Sequence, residues 1–337
     1  MTNIALIGLK GHQYLCLEEI AKRSGLDGRP DEVRLVAVTD DDAALLKGAS
    51  KLEGVTAETV ITPNLDEVLA RRDVQVAIVC DDNLARGHNL IACFRRGWHV
   101  CAEKPLAISL AELEQVRAAH AAANVSLTML LTMRFEAPYR AMREQIAAGA
   151  IGTPLQLSAQ KSYRRGDRPA WQQHYATYGG TIPYIGVHPV DMLQWLTGCT
   201  YRRVAALHHN AGLPGAGAME ESCALLLETT DGAVAAIRLD YLRPEKAPSH
   251  GDDRVRVAGS TGVIEALDGK VSLLSNDAPP RSIPLGPELN LFGQWLDSLA
   301  GKGKHDIAAE ECFAVSEVCL RAREAAKTGT WVALASH

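Results

Sequence analysis

The feature that most constrains this chain is an alternation of short apolar runs with helix-length segments. Runs at Ile4–Ile7, Val33–Val38, Val74–Val79, Trp98–Ala102 and Leu127–Leu131 all have strand length, and the first three are rich in Val and Ile. Strands of this kind are apolar on both faces, as in a parallel sheet covered on two sides, and parallel neighbours need a crossover connection between them. The connecting segment Ser109–Ala123 has the marks of a helix: Ser109 and Glu112 form a capping-box pattern, and Leu113 and Val116 share one face. The N-terminal part is therefore expected to be α/β and doubly wound.

A different pattern begins near residue 150. Segments Leu155–Ala159, Val204–His208, Ala224–Glu228, Val234–Leu239 and Val255–Ala258 follow one another with few helices between them, which predicts a large, mainly antiparallel, open-faced sheet in an α+β domain. Helices are expected over Pro138–Ala148, followed by Gly149, and over Pro189–Thr197, closed by Gly198, since proline suits a helix start and glycine its end. A final helix is expected near Ala308–Lys327. With 337 residues, too many for one ordinary core, the chain divides into domains at 1–128 and 129–337.

Composition narrows the partners. A 47% hydrophobic and 22% charged chain is an ordinary globular one, and a net charge of −5 offers no basic stripe for nucleic acid, so small molecules are the expected ligands. The eight cysteines include no Cys-x-x-Cys pair; buried free thiols are expected, and no metal site. No apolar stretch approaches the ~18 residues of a membrane span, and the N-terminus lacks a signal peptide's basic flank, so a cytoplasmic protein without membrane partners is expected.

The first strand runs into Gly8-Leu9-Lys10-Gly11-His12-Gln13, where a Rossmann dinucleotide fold turns tightly and aims backbone N–H groups at a pyrophosphate. Gly8 keeps the first position of Gly-x-Gly-x-x-Gly, while Lys10 and Gln13 take the second and third. Lys10 either offers its ammonium to the pyrophosphate or is a solvated turn lysine. The second strand ends at Asp40, where an adenosine ribose hydroxyl would be held, with Asp41 and Asp42 starting the next helix. A carboxylate there repels a 2′-phosphate, which favours NAD over NADP. Lys104, just before Pro105, lies beyond the carboxyl end of a strand, on the ligand-binding edge of such a sheet.

Here a resemblance becomes specific. Gly97-Trp98-His99-Val100-Cys101-Ala102-Glu103-Lys104-Pro105-Leu106 resembles the hallmark of the Gfo/Idh/MocA oxidoreductases. Gly149-Ala150-Ile151-Gly152, then Gly179-Gly180 through Gly186, His188 and Asp191, and Ala322 through Gly329 resemble the family's later landmarks, in order over nearly the whole chain. The resemblance implies a dinucleotide along the sheet edge, held by Gly8, Lys10, Gly11, His12, Gln13, Asp40, Asp81, Asn83, Glu103 and Lys104, with Lys104 and His188 flanking the reacting carbon.

The chemistry is consistent with those roles. Oxidising a secondary alcohol needs a base for the hydroxyl proton, and a histidine titrates near neutrality; at a helix start, before Pro189, the macrodipole favours its neutral form. Lys104 would stabilise developing alkoxide charge. Two departures stand out: Tyr184 occupies the position, four before His188, where the family often places an aspartate, and Cys80-Asp81-Asp82-Asn83 stands where relatives commonly carry Thr-Pro-Asn. Tyr184 can donate a hydrogen bond but is a poor base near pH 7. Asp191 reads as a first-turn carboxylate supporting the helix start and as a candidate substrate-side group. The loop Lys161–His174 carries Arg164, Arg165, Trp171 and His174, polar hooks suited to a sugar or carboxylate.

The sequence thus points to an NAD(P)-dependent oxidoreductase acting on a sugar, sugar acid or cyclitol. Two alternatives share the scaffold: a redox-neutral, NAD-dependent glycoside-cleaving enzyme, and a non-catalytic dinucleotide-binding regulator. A homodimer or homotetramer through the C-terminal sheet is expected, because a monomer would leave that sheet uncovered.

Overall fold

A computed structural model describes residues 1–25 and 32–334. The chain divides into two compact units, one formed by Met1–Leu130 with Asn290–Phe313 and the other by Leu131–Leu289 with Ala314–His337.

The first unit is built on β1 (Thr2–Ile7), β2 (Val33–Thr39), β3 (Val60–Thr62), β4 (Val76–Val79), β5 (His99–Ala102) and β6 (Leu127–Met129). They pair in parallel in the order β3-β2-β1-β4-β5-β6. The order reverses between β1 and β4, which opens a crevice at the strands' carboxyl ends. The apolar runs have the burial that their composition requires: Ile4–Leu6, Val76–Val79 and Val100–Ala102 are fully enclosed. Helices α1 (Gln13–Arg23), α2 (Ala43–Leu46), α3 (Leu65–Leu69), α4 (Asn83–Arg95) and α5 (Leu110–Ala123) make the crossovers. At α5 the Ser109 hydroxyl accepts from Glu112 N at 3.2 Å, as the capping pattern predicts, but Glu112 Oε2 reaches back to Ile108 N at 3.0 Å rather than to the cap itself.

The second unit begins with α6 (Ala137–Ala147), whose first turn holds Pro138, and continues through β7 (Pro154–Tyr163) and the short helices α7 (Tyr175–Tyr178) and α8 (Thr181–Ile185) to α9 (Val187–Thr197), which ends at left-handed Gly198. Then come β8 (Tyr201–His209), β9 (Ser222–Thr229), β10 (Val234–Asp240), β11 (Gly251–Gly259), β12 (Gly262–Leu267), β13 (Lys270–Ser275) and β14 (Arg281–Ile283). The chain closes with α10 (Leu291–Leu299), α11 (Ala309–Thr328) and β15 (Val332–Ala333). The nine-stranded sheet has the order β14-β13-β12-β11-β7-β10-β9-β8-β15 and is antiparallel except where β7 pairs with β10.

Strict alternation sorts this sheet's faces. Leu157, Leu225, Ile237, Val257 and Ile264 point to the helix-covered side and are buried, each contributing about 1.5–3 kcal/mol. The opposite face carries Leu207, Leu226 and Val234 at 71%, 50% and 49% exposure. All eight cysteines are free, and seven are buried. Among the described residues no helix is long and apolar enough to cross a membrane.

Candidate active site

The turn after β1 explains its residues. Gly8 has φ +86°, and a Cβ there would lie 2.2 Å from Asp81 N, so only glycine lets the ends of β1 and β4 come this close. Gly11 needs its missing side chain for another reason: a Cβ would lie 2.7 Å from Glu103 Oε2. The turn's N–H groups are largely engaged by the protein itself. Leu9 N donates to Asp40 Oδ2 at 2.7 Å, Lys10 N to the Cys80 carbonyl at 2.8 Å, Gly11 N to Gln13 Oε1 at 3.1 Å and His12 N to Glu103 Oε2 at 2.7 Å. The helix α1 starts with no side-chain cap, which leaves the helix N-terminus as the part of the motif suited to a pyrophosphate.

Lys10 is not a solvated lysine. Its ammonium pairs with Asp41 and lies 3.4 Å from Asp82 and 3.6 Å from Asp40, with the side chain 13% exposed, and this acidic company outweighs burial and raises its pKa. Asp40 is itself committed: its carboxylate accepts from Leu9 N and from Asp42 N, each at 2.7 Å, and burial pushes its pKa up. The more exposed carboxylate at this strand end is Asp41. Asp42 caps α2 through Ala44 N, as expected of a helix-start residue. Gly8, Lys10, Asp40, Asp41, Pro63 and Asp81 help line a cavity of about 110 Å³ at the strand ends.

At the end of β4 the polar groups are wired inward. Asp81 sits 3.4 Å from the Arg86 guanidinium and accepts from Asn89 Nδ2 at 2.5 Å; burial outweighs both partners and pushes its carboxyl up to about 7. Asn83 is fully buried and accepts from Arg86 at 2.8 Å, while Asp82 caps α4 through Ala85 N. Arg86, which sequence reasoning passed over, also donates to the Pro105 carbonyl at 3.0 Å, so it joins the β4 end to the segment holding Lys104. Its spacing of three from Asn83 on α4 was the available signal.

Glu103 and Lys104 follow β5 and are 2% and 3% exposed. Besides His12 N, the Glu103 carboxylate meets His12 Nδ1 at 2.8 Å and accepts from Lys104 N at 3.0 Å; Lys104 Nζ is 3.8 Å away. Burial alone would raise this carboxyl, but His12, Lys104 and Arg86 hold it well below the usual range.

In the second unit, Gly180 adopts φ +104° and starts α8, with Thr181 N donating to Glu220 at 2.9 Å. Because Gly186 is itself helical, α8 and α9 follow one another with little break, and Tyr184 and His188 stand one turn apart. His188 is the second residue of α9 rather than its cap, so the preceding turn takes up part of the helix-start effect expected of it. Tyr184 is half-buried, accepts from Gln172 at 3.1 Å and packs edge-on to Trp171. Asp191 departs from the helix-start role expected of it: it lies in the second turn of α9, and its carboxylate is enclosed in a bidentate pair with Arg134 (Nε to Oδ2 2.9 Å), both side chains 2% exposed.

The loop after β7 brings Trp171 against Tyr178 and Tyr184, while Arg164 and Arg165 donate to the carbonyls of Glu245 and Leu213. His174 is exposed, and its carbonyl accepts from Tyr178 N at the start of α7. Tyr163, Arg168, Tyr241 and His250 belong to the same cluster, in which Tyr241 is buried; the sequence offered no spacing that would join the ends of β7, β10 and β11 there.

Comparisons with known proteins agree with this architecture. Residues 2–130 match the oxidoreductase family with an NAD-binding Rossmann fold, and residues 139–265 match the GFO/IDH/MocA C-terminal domain. The chain is 28% identical over 247 residues to inositol 2-dehydrogenase of Ralstonia nicotianae, spanning 73% of this chain and 69% of that one. Its fold is that of an oxidoreductase domain protein from Kribbella flavida (TM-score 0.85, 21% identity, both chains covered in full). The fold is equally that of levoglucosan dehydrogenase, solved with NADH and levoglucosan (TM-score 0.84, 17% identity, both chains covered in full).

Proposed function

The chain belongs to the Gfo/Idh/MocA family of oxidoreductases, with an NAD-binding Rossmann domain, and from that premise we propose that it transfers a hydride between nicotinamide and a secondary alcohol or ketone of a sugar, sugar acid or cyclitol. The observation that carries the reading is Glu103. Its carboxylate joins the turn before α1 to Lys104, so one buried group ties the dinucleotide motif to the candidate catalytic lysine. The names of its relatives, an inositol 2-dehydrogenase and a levoglucosan dehydrogenase, support a polyhydroxylated substrate.

The residues fit an NAD cofactor. Gly8 removes the side chain that would block the β1–β4 crevice, the uncapped start of α1 suits a pyrophosphate, and Asp40, with the more exposed Asp41 beside it, supplies the strand-end carboxylate suited to a ribose hydroxyl. When bound there, NAD supplies the hydride-accepting carbon. The protein's part is proton handling and charge: Lys104 donates to the reacting oxygen and stabilises alkoxide character, His188 accepts the hydroxyl proton, and Tyr184 orients the same oxygen.

The test is a screen of NAD and NADP reduction against sugars, sugar acids and inositols, with dinucleotide binding followed separately by calorimetry. Substrate-dependent, stoichiometric NADH formation is expected. Dinucleotide binding without net NADH would favour a redox-neutral lyase, and no dinucleotide binding would leave a non-catalytic protein.

A further inference from the structure

The second unit holds a cluster of aromatic rings with a cationic rim. Tyr178 and Tyr241 share a hydroxyl contact at 2.9 Å; Tyr178 and Tyr184 rings lie 5.1 Å apart, and Trp171 packs edge-on to Tyr184 at 6.0 Å. Tyr163 continues the surface, 6.2 Å from Tyr241 and stacked on His250 at 5.0 Å. Tyr178 and Tyr241 are buried within the cluster, whereas Tyr163, Trp171 and Tyr184 are partly exposed and offer apolar faces with polar edges, the usual partners of a sugar's C–H faces and hydroxyls.

The rim is made by Arg164 and Arg168. The Arg168 guanidinium lies over the Tyr241 ring at 4.8 Å and donates to the Arg164 carbonyl at 3.1 Å; Arg164 donates to the Glu245 carbonyl at 3.1 Å. Each is held by a neutral oxygen, and among the described residues neither forms an ion pair with a carboxylate, whereas Arg202 and Arg203 share Glu228, and Arg243 and Arg254 share Asp252. The Nε atoms of both rim arginines are buried and make no hydrogen bond. Their charge reaches His250, whose pKa is lowered by burial and then by Arg168 and Arg164. Lys161, a further cation here, is already neutralised by Asp253.

From this arrangement we infer that the substrate carries a carboxylate, which Arg164 and Arg168 bind while the sugar ring lies against Tyr163 and Tyr184. The inference rests on the hydride-transfer reading for the identity of the site and narrows its substrate to a sugar acid. Guanidinium groups match a carboxylate's planar pair of oxygens, and the half-buried setting strengthens the contact. A singly charged group suits the rim better than a phosphate dianion, because the Glu245 carboxylate, from the segment between β10 and β11, accepts from Gly166 N at 3.4 Å beside the rim.

The experiment measures binding and turnover separately. With NADH present, D-glucuronate, D-galacturonate, D-gluconate, D-glucose, myo-inositol and glucose 6-phosphate are titrated calorimetrically, and NAD reduction is assayed with the same non-phosphorylated set. At least one sugar acid should bind about 10- to 100-fold more tightly than its neutral counterpart, the range of a charge-assisted contact. Arg168→Gln should lower the affinity for the acid to that of its neutral counterpart, and Arg168→Lys, which keeps the charge and guards against a folding defect, should retain part of the preference. Equal affinity for acids and neutral sugars, strongest binding of the phosphate, no binding of any of the set, or an Arg168→Gln variant that loses acid and neutral sugars alike would overturn the inference. Sugar-acid binding without NAD reduction would sustain it and count against hydride transfer; turnover of neutral polyols with no acid preference would do the reverse.

Discussion

The Glu103 carboxylate takes both the backbone N–H of His12, at 2.7 Å, and its imidazole Nδ1, at 2.8 Å. The turn before α1 and the residue before Lys104 therefore form one hydrogen-bonded unit, with Glu103 as the joint.

Glu103 should make the protein acid-sensitive. Its folded pKa is depressed, so it contributes stability that is fully present above the unfolded value, about 4.3, and is lost as pH falls through the folded value. Glu103→Gln should be less stable at pH 7, by roughly 1–3 kcal/mol for a buried charged hydrogen-bonding group. The gap to wild type should close in acid. Thermal melts from pH 3 to 8 check this, and a gap that does not change with pH would contradict it.

Asp81 has the opposite sign. With its carboxyl pushed up to about 7, the folded protein holds a proton that the unfolded chain has already lost above about 3.9. Its contribution to stability therefore falls as pH rises from about 4 to 7 and is level above that. Asp81→Asn should remove this slope, so the variant should gain relative to wild type between those limits, as read from chemical denaturation at several pH values.

How far the sequence carried these conclusions depends on how local each signal was. The doubly wound sheet was legible because strands such as Ile4–Ile7 are apolar on both faces, and the C-terminal end of α9 followed from Gly198, whereas its start lies at Val187, two residues before the expected Pro189. The parallel pairing of β7 with β10 was not legible, since it joins segments some 70 residues apart that have the same alternation as their antiparallel neighbours. The setting of Lys10 and the place of Asp191 on α9 were not legible for a related reason: a charged residue's surroundings are set by its partners, and Asp41 with Asp82, or Arg134, comes from another element. The aromatic cluster rests on His250 and Tyr241, which nothing in the sequence links to Tyr163.

NAD(H) should bind more tightly than NADP(H). Asp40, Asp41 and Asp82 outnumber the single ammonium of Lys10, and each like-charge contact at ~4 Å costs up to roughly 4 kcal/mol before solvent screening. Calorimetric titration should give at least a tenfold preference, and equal or reversed affinities would contradict it.

The open sheet face should be an interface between copies of the chain. Leu207, Leu226 and Val234 lie exposed on β8, β9 and β10, with Leu226 opposite Ala205 and Ala236. Light scattering should report a dimer or tetramer, and Leu226→Arg should shift it towards monomer; a wild-type monomer at working concentration would refute the interface.

The most direct test of the account is the ordering of three variants assayed with saturating cofactor. Lys104→Ala should lower kcat by about 10²–10³-fold, as for a lost transition-state donor, with dinucleotide affinity nearly unchanged. His188→Ala should be comparably impaired and should lose the acidic limb of the pH profile, because its base no longer titrates. Tyr184→Phe should cost less than either, since it keeps the ring against Trp171 and loses only an orienting hydroxyl. A Tyr184→Phe enzyme as inactive as Lys104→Ala, beside a nearly normal His188→Ala, would contradict the account and move the base to Tyr184.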